Sequence, residues 1–137
     1  MKSFEILAHT ADVRIKAFGH TGEELFQNAV LGLNSILAKE EKKRFIPQNY
    51  EKIKIQGPDI NVLLVSFLNE ILTRSQINKK IYKKVKFLKF GEKELEAQIF
   101  GETVQNFDED VKAVTYHDTK IQKNKRNIFE TTLTLDI

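Results

Sequence analysis

Residues 12–37 read DVRIKAFGHTGEELFQNAVLGLNSIL, and the hydrophobic period changes part-way through. From Asp12 to Phe18, apolar Val13, Ile15 and Ala17 alternate with Asp12, Arg14 and Lys16, the period of two that lays one face of a β-strand on a core. Gly19-His20 ends that strand. Thr21 then stands three residues before Glu24, a capping box in which each side chain satisfies a backbone donor left over at a helix start. Beyond it Leu25, Phe26, Ala29, Val30, Leu33, Ile36 and Leu37 follow the i, i+3, i+4 rhythm, which predicts an amphipathic helix to about Lys39. A strand and a helix with one apolar face each must share a core, so the stretch points to a layered α+β domain.

The flanking sequence extends this reading. Phe4-Glu5-Ile6-Leu7 predicts a first strand, and Ile53-Lys54-Ile55 a half-exposed one after the charged run at 39–44. Gly57-Pro58 breaks that strand and Asp59 offers an N-cap for a second helix to about Ser75, buried along Leu63, Leu64, Phe67, Leu68, Ile71 and Leu72. Four further strands are expected at 82–90, 95–101, 111–121 and 128–136, with hairpin connections at Gly91-Glu92 and 123–126. In the last strand Phe129, Thr131, Leu133, Leu135 and Ile137 share the inward face. The expected fold is one domain over residues 1–137: two amphipathic helices packed on a largely antiparallel sheet of about six strands. Strand order stays open, and a sheet that curls over or splits in two fits the same patterns.

Composition narrows the chemistry. The chain has 137 residues, no cysteine, and 22 Lys and Arg against 19 Asp and Glu, a formal net charge of +3. Thiolate zinc sites, Fe–S clusters, disulfides and cysteine nucleophiles are thereby excluded. The charge excess permits a polyanionic partner without demanding one. No phosphate loop, dinucleotide fingerprint, HExxH pair, GxSxG elbow or helix-loop-helix calcium loop is present. The N-terminus lacks a signal-peptide apolar region, and the longest apolar stretch, 62–68, is interrupted by Ser66. A cytoplasmic location without membrane contact is expected, and a monomer, since both helices have a core to cover.

The acidic residues carry the strongest chemical signal. Asp12 begins a strand on its polar face, and Asp136 ends the chain beside the carboxylate of Ile137. If the opening and closing strands run side by side and antiparallel, Asp12 faces Asp136 and three carboxylates meet. Like charges so placed call for a neutralising cation, and a hard divalent ion such as Ca²⁺ suits an all-oxygen cluster. An ordinary turn at His9-Thr10-Ala11-Asp12 and a solvated strand end at Asp136 fit the same residues. The stretches Lys79-Lys80 with Lys83-Lys84, and 120–126, offer phosphate contacts, although Tyr82 is the only ring among them.

Taken in order, His9-Thr10-Ala11-Asp12, Thr21-Gly22-Glu23-Glu24-Leu25-Phe26, Leu68-Asn69-Glu70, Gly101-Glu102, Lys112-Ala113-Val114-Thr115-Tyr116-His117 and terminal Asp136-Ile137 resemble the archease family across essentially the whole chain. The resemblance implies a small α+β protein that is not an enzyme itself. It implies a cofactor of the RtcB-type tRNA-splicing ligase, which joins RNA ends with GTP and divalent metal, and which the family helps to become guanylylated and turn over repeatedly. Transfer RNA would then be met only through the ligase. The family's divalent-metal site, calcium-like, falls on Asp12, Asp136 and Ile137, while His9, Lys112, Tyr116 and His117 become candidates for a partner or functional surface. Arg14 departs from the family pattern, where a small residue such as Gly is expected, and a long cation on the face of Asp12 would compete with a metal. Two other readings are an RNA-binding module presenting tRNA ends through the lysine-rich loops, and a metal-dependent hydrolase using Asp12, Asp136 and His117.

Overall fold

The computed structural model describes residues 1–9, 12–39, 49–116 and 119–137. Its first helix, α1 (Gly22–Leu37), starts where Thr21 Oγ1 accepts the Glu24 N–H at 3.1 Å. The Glu24 carboxylate reaches back to the N–H of His20 at 3.1 Å, one residue before the cap. The second helix, α2 (Ile60–Asn78), is capped by Asp59, whose Oδ1 accepts the Val62 N–H at 3.0 Å. It runs three residues past the expected end, because Lys79 adopts the left-handed conformation (φ 52°) usually signalled by glycine.

The strands are β1 (Phe4–His9), β2 (Asp12–Gly19), β3 (Tyr50–Gln56), β4 (Lys80–Phe90), β5 (Glu94–Thr103), β6 (Ala113–Thr115), β7 (Gln122–Lys123) and β8 (Phe129–Asp136). Every pairing is antiparallel, so the α+β class stands. The eight strands among the described residues form two sheets where one of about six strands was expected: β1-β2-β8-β6 with β7 also on β8, and β3-β5-β4. Hairpins at Gly91 and at 123–128 fall where the sequence placed them, the first closed by Gly91 N–H to Glu94 O at 2.9 Å.

Both helices touch strands of both sheets. The buried set is accordingly one cluster, with Val13, Ile15, Leu133 and Leu135 from the first sheet and Ile53, Val85, Leu95 and Ile99 from the second. Between the helices and the second sheet, Phe26 meets Phe67, Phe87 and Phe90 at centroid distances of 5.7, 6.4 and 4.9 Å. Gly19 is required where β2 hands over to α1, since a Cβ there would lie 2.3 Å from the Leu25 nitrogen.

One expected element is broken. The sequence predicts a single strand over 111–121, yet among the described residues the ladder with β8 covers Ala113–Thr115. Near the two ends of the segment, α2 side chains supply hydrogen bonds. Gln76 Nε2 donates to Val111 O at 2.7 Å, and Asn61 Oδ1 accepts the Ile121 N–H at 2.8 Å. A strand pattern in sequence records only which side chains are buried, and here helix side chains supply the partners a neighbouring strand would otherwise give.

Candidate functional site

Antiparallel β2 and β8 are in register along their whole length, from Asp12 opposite Asp136 to Gly19 opposite Phe129. Val13, Ile15, Leu133 and Leu135 fill the inner face of that pair, which forces Asp12 and Asp136 together onto the outer one. Directly opposed residues in such a ladder have Cβ atoms about 5 Å apart. On the far side of β8, Asp136 is in register with Ala113, and its carbonyl accepts the Lys112 N–H at 2.7 Å. On the near side, the backbone of His9 pairs with Val13 across β1 and β2. One end of the first sheet therefore gathers His9, Asp12, Asp136 and Lys112 on four adjacent strands or their ends.

The donor set at this end suits a hard divalent cation: two side-chain carboxylates in register, with the next residue, Ile137, packed by its side chain against the core. No group of three His, Asp or Glu side chains converges among the described residues. A cation here would complete its shell with the Ile137 oxygens, backbone carbonyls and water. Arg14, exposed and two residues along the same face, is opposite Thr134 and makes no ion pair among the described residues.

The remaining candidates separate. The Lys112 side chain is exposed beside Asp136, whereas Tyr116, 56% exposed, lies past the opposite end of β6 with its hydroxyl 3.5 Å from Ser66 Oγ. Lys112 and Tyr116 consequently do not share one point of the surface. The side chain of His9 and all of Thr10, Ala11 and His117 lie outside the described residues.

Two arrangements had no reading in the sequence. Asn69 Nδ2 donates to Val114 O and Asn69 Oδ1 accepts from Val114 N–H, both at 2.8 Å. A single amide thus acts as a surrogate strand along the outer edge of β6, and with Asn61, Ser66 and Gln76 it forms a polar stripe on α2 at helical spacing. The signal was present as Asn and Gln recurring on one helix face, but nothing local names their partner.

The second arrangement ties β3, α2 and β4 together through Glu51. Arg74 is shared between Glu70 at 2.6 Å and Glu51 at 3.2 Å, and the Tyr82 hydroxyl donates to Glu51 while accepting from Asn78 Nδ2 at 3.0 Å. Burial, then the bond to Glu51, pushes the Tyr82 phenol up to about 12. Burial works to lower the Arg74 guanidinium, but the bonds and charges of Glu70 and Glu51 outweigh it and raise its pKa. These groups satisfy one another, as a structural pin does.

No described helix is long and apolar enough to cross a membrane. Comparison with known proteins agrees with the resemblance first seen in the sequence. Residues 4–137 match the model of the Archease protein family (MTH1598/TM1083). Similar chains include Protein archease of Pyrococcus furiosus, 37% identical over 136 residues and 90% of each chain. Protein archease of Sulfurisphaera tokodaii is 32% identical over 146 aligned positions and the full length of both. Among solved structures, that of Methanobacterium thermoautotrophicum protein 1598 superposes with a TM-score of 0.78 at 27% identity over 100% of both chains. A Thermotoga maritima protein described as an archease and possible chaperone shares the fold, with a TM-score of 0.61 at 16% identity over 96% of this chain and 94% of its own. With the family model spanning nearly every residue and relatives aligned end to end, the chain belongs to the archease family.

Proposed function

We propose that this protein is a non-enzymatic cofactor of an RtcB-type, GTP-dependent tRNA-splicing ligase, promoting the ligase's guanylylation and repeated turnover. The observation that carries this reading is the in-register pair Asp12 and Asp136, set at one end of a sheet in a member of the archease family. Asp12, Asp136 and Ile137 would hold a Ca²⁺-like divalent ion. When bound, such an ion supplies positive charge where the phosphates of GTP or RNA approach an otherwise acidic edge. The chain's own part is positioning: the β2–β8 register fixes the two carboxylates, the core anchors the Ile137 side chain, and the exposed Lys112 adds a cation beside them. No proton transfer or nucleophile from this chain is required.

Single-turnover guanylylation of the cognate ligase, with and without limiting amounts of this protein at fixed metal and GTP, tests the reading. Acceleration at substoichiometric amounts is expected, and Asp12→Ala should reduce it while leaving the fold intact. Full stimulation by the Asp12→Ala variant would remove the metal from the reading. Absence of any acceleration by the wild type would remove the ligase. Arg14→Gly should strengthen Ca²⁺ binding in a calorimetric titration, because it removes a competing cation from the face of Asp12.

A further inference from the structure

The outer face of the β3-β5-β4 sheet was not legible as a unit in the sequence. Register places Tyr50 opposite Phe100 and Phe100 opposite Lys84, so that two rings and a lysine form one row across three strands. The next row is Lys52, Gln98 and Lys86, and the third is Lys54, Glu96 and Lys89. The opposite face of the same strands carries Ile53, Val85, Ala97 and Ile99 into the core. A register shift at Lys83 makes the first row possible: Tyr82 pairs with Gly101 and Lys84 with Phe100, so these residues, two apart, point to opposite faces. Tyr82 is thereby buried and Lys84 exposed.

We infer that this face binds single-stranded RNA, with bases stacking on Tyr50 and Phe100 and phosphates neutralised by Lys84 and Lys86. Charge complementarity selects the occupant, since the three rows and their Glu94 neighbour carry five lysines against two glutamates. Those charges are unevenly distributed. Glu96 engages Lys52 at 3.7 Å and Lys54 at 3.5 Å, and Glu94 engages Lys89 at 2.6 Å. Lys84 and Lys86, at the aromatic end, make no ion pair with any described residue, and Lys84 Nζ lies 5.8 Å from the Phe100 centroid. Tyr50 is 54% exposed and its ring centroid is 5.8 Å from that of Phe100. An exposed Tyr50 ring beside the half-buried Phe100, among lysines, suits unpaired bases, whose faces a duplex keeps stacked. Gln98, in the middle of the second row, offers both a donor and an acceptor to a 2′-hydroxyl, the group that distinguishes RNA from DNA. This surface is separate from the carboxylate end of the first sheet, and the inference does not depend on the ligase reading.

The test is fluorescence anisotropy with a labelled oligouridylate at low salt, repeated with oligodeoxyuridylate, duplex RNA and anionic phospholipid vesicles. The wild type should bind the single-stranded RNA, and more weakly as salt rises. The double charge reversal Lys84→Glu with Lys86→Glu should weaken binding by about tenfold or more and flatten the salt dependence. Removing the ring faces with Tyr50→Ala and Phe100→Ala should also cost about tenfold. Lys125→Glu with Arg126→Glu, in the 123–128 hairpin, should leave binding within about twofold of wild type on the same scale. The lysine variant alters only exposed side chains, so it keeps the test decisive if the ring variant fails to fold. No RNA binding at low salt, equal loss in the hairpin variant, or unchanged affinity in the lysine variant would overturn the inference. Equal or tighter binding of DNA, duplex or vesicles would overturn its assignment to single-stranded RNA.

Discussion

In the three-stranded sheet, β3 pairs with β5 at every residue from Tyr50 to Gln56, whereas β6 pairs with β8 over three residues and has its outer edge held by the Asn69 side chain. The second sheet is held by strand ladders along both sides of β5, with register shifts on the β4 side, and the first is completed by a helix. The difference governs where polar chemistry appears. The second sheet turns side chains outward from all three strands and yields a broad face of lysines and rings. One end of the first sheet collects Asp12, Asp136 and Lys112 from β2, β8 and the residue before β6. Three strands paired along their lengths spread polar side chains over a face, while the aligned ends of β2 and β8 bring two carboxylates to one point.

If the two sheets share one core, the largest effect should come from a residue between the helices. Phe26→Ala removes contacts to Phe67, Phe87 and Phe90 and should cost about 3–5 kcal/mol, measured by chemical denaturation. Both sheets should lose amide protection in a single transition, and two separated transitions would show that the core is not shared. Next comes the contrast itself. Asn69→Ala leaves the N–H and carbonyl of Val114 without their partner, at a cost of about 1–3 kcal/mol, and hydrogen exchange should accelerate at Val114 while β5 amides stay protected. Equal acceleration in both sheets would mean that the amide does not act locally.

Asp59→Ala, which removes the α2 cap, should cost about 1 kcal/mol and be read as a lowered denaturation midpoint. Since α2 supplies the side chains that hold Val111, Val114 and Ile121, the loss should appear sooner in the first sheet than in the second. The last contrast is one of pH and belongs to Tyr82, which pins the second sheet through Glu51. Its folded-state pKa, about 12, exceeds the unfolded value of 10.0, so the native state keeps a proton that the unfolded chain has released. That contribution is complete below pH 10.0 and fades as pH rises toward about 12. Tyr82→Phe should abolish this part of the alkaline decline, and an unchanged slope in urea titrations across that window would remove the burial argument.

Local patterns identified most of the elements because they depend on neighbours in the chain. The Thr21 and Asp59 caps, the helix stripes and the β8 alternation all appear where their residues require. The ends of elements were harder. Lys79 turns into the left-handed region without a glycine to announce it, and 111–121 has the alternation of a strand but, among its described residues, three in register with a neighbouring strand. Among the candidate site residues, the Asp12 and Asp136 juxtaposition follows from pairing the two strands end to end, while Lys112 and Tyr116, both candidates through the family resemblance, stand at opposite ends of β6.

Sequence by itself determined which faces are apolar, where both helices begin, that no thiol chemistry operates, and that the motifs from His9 to Ile137 resemble one family. Tertiary structure alone decided that the strands divide into two sheets, that Asn69 substitutes for a strand beside β6, and that Tyr50, Phe100 and Lys84 share a row. The physical reason is range. Caps and periodicities are set by contacts a few residues apart, which the chain encodes locally. Strand register and the partner of a helix amide are chosen by how all the apolar faces bury together, a collective outcome that no single segment specifies.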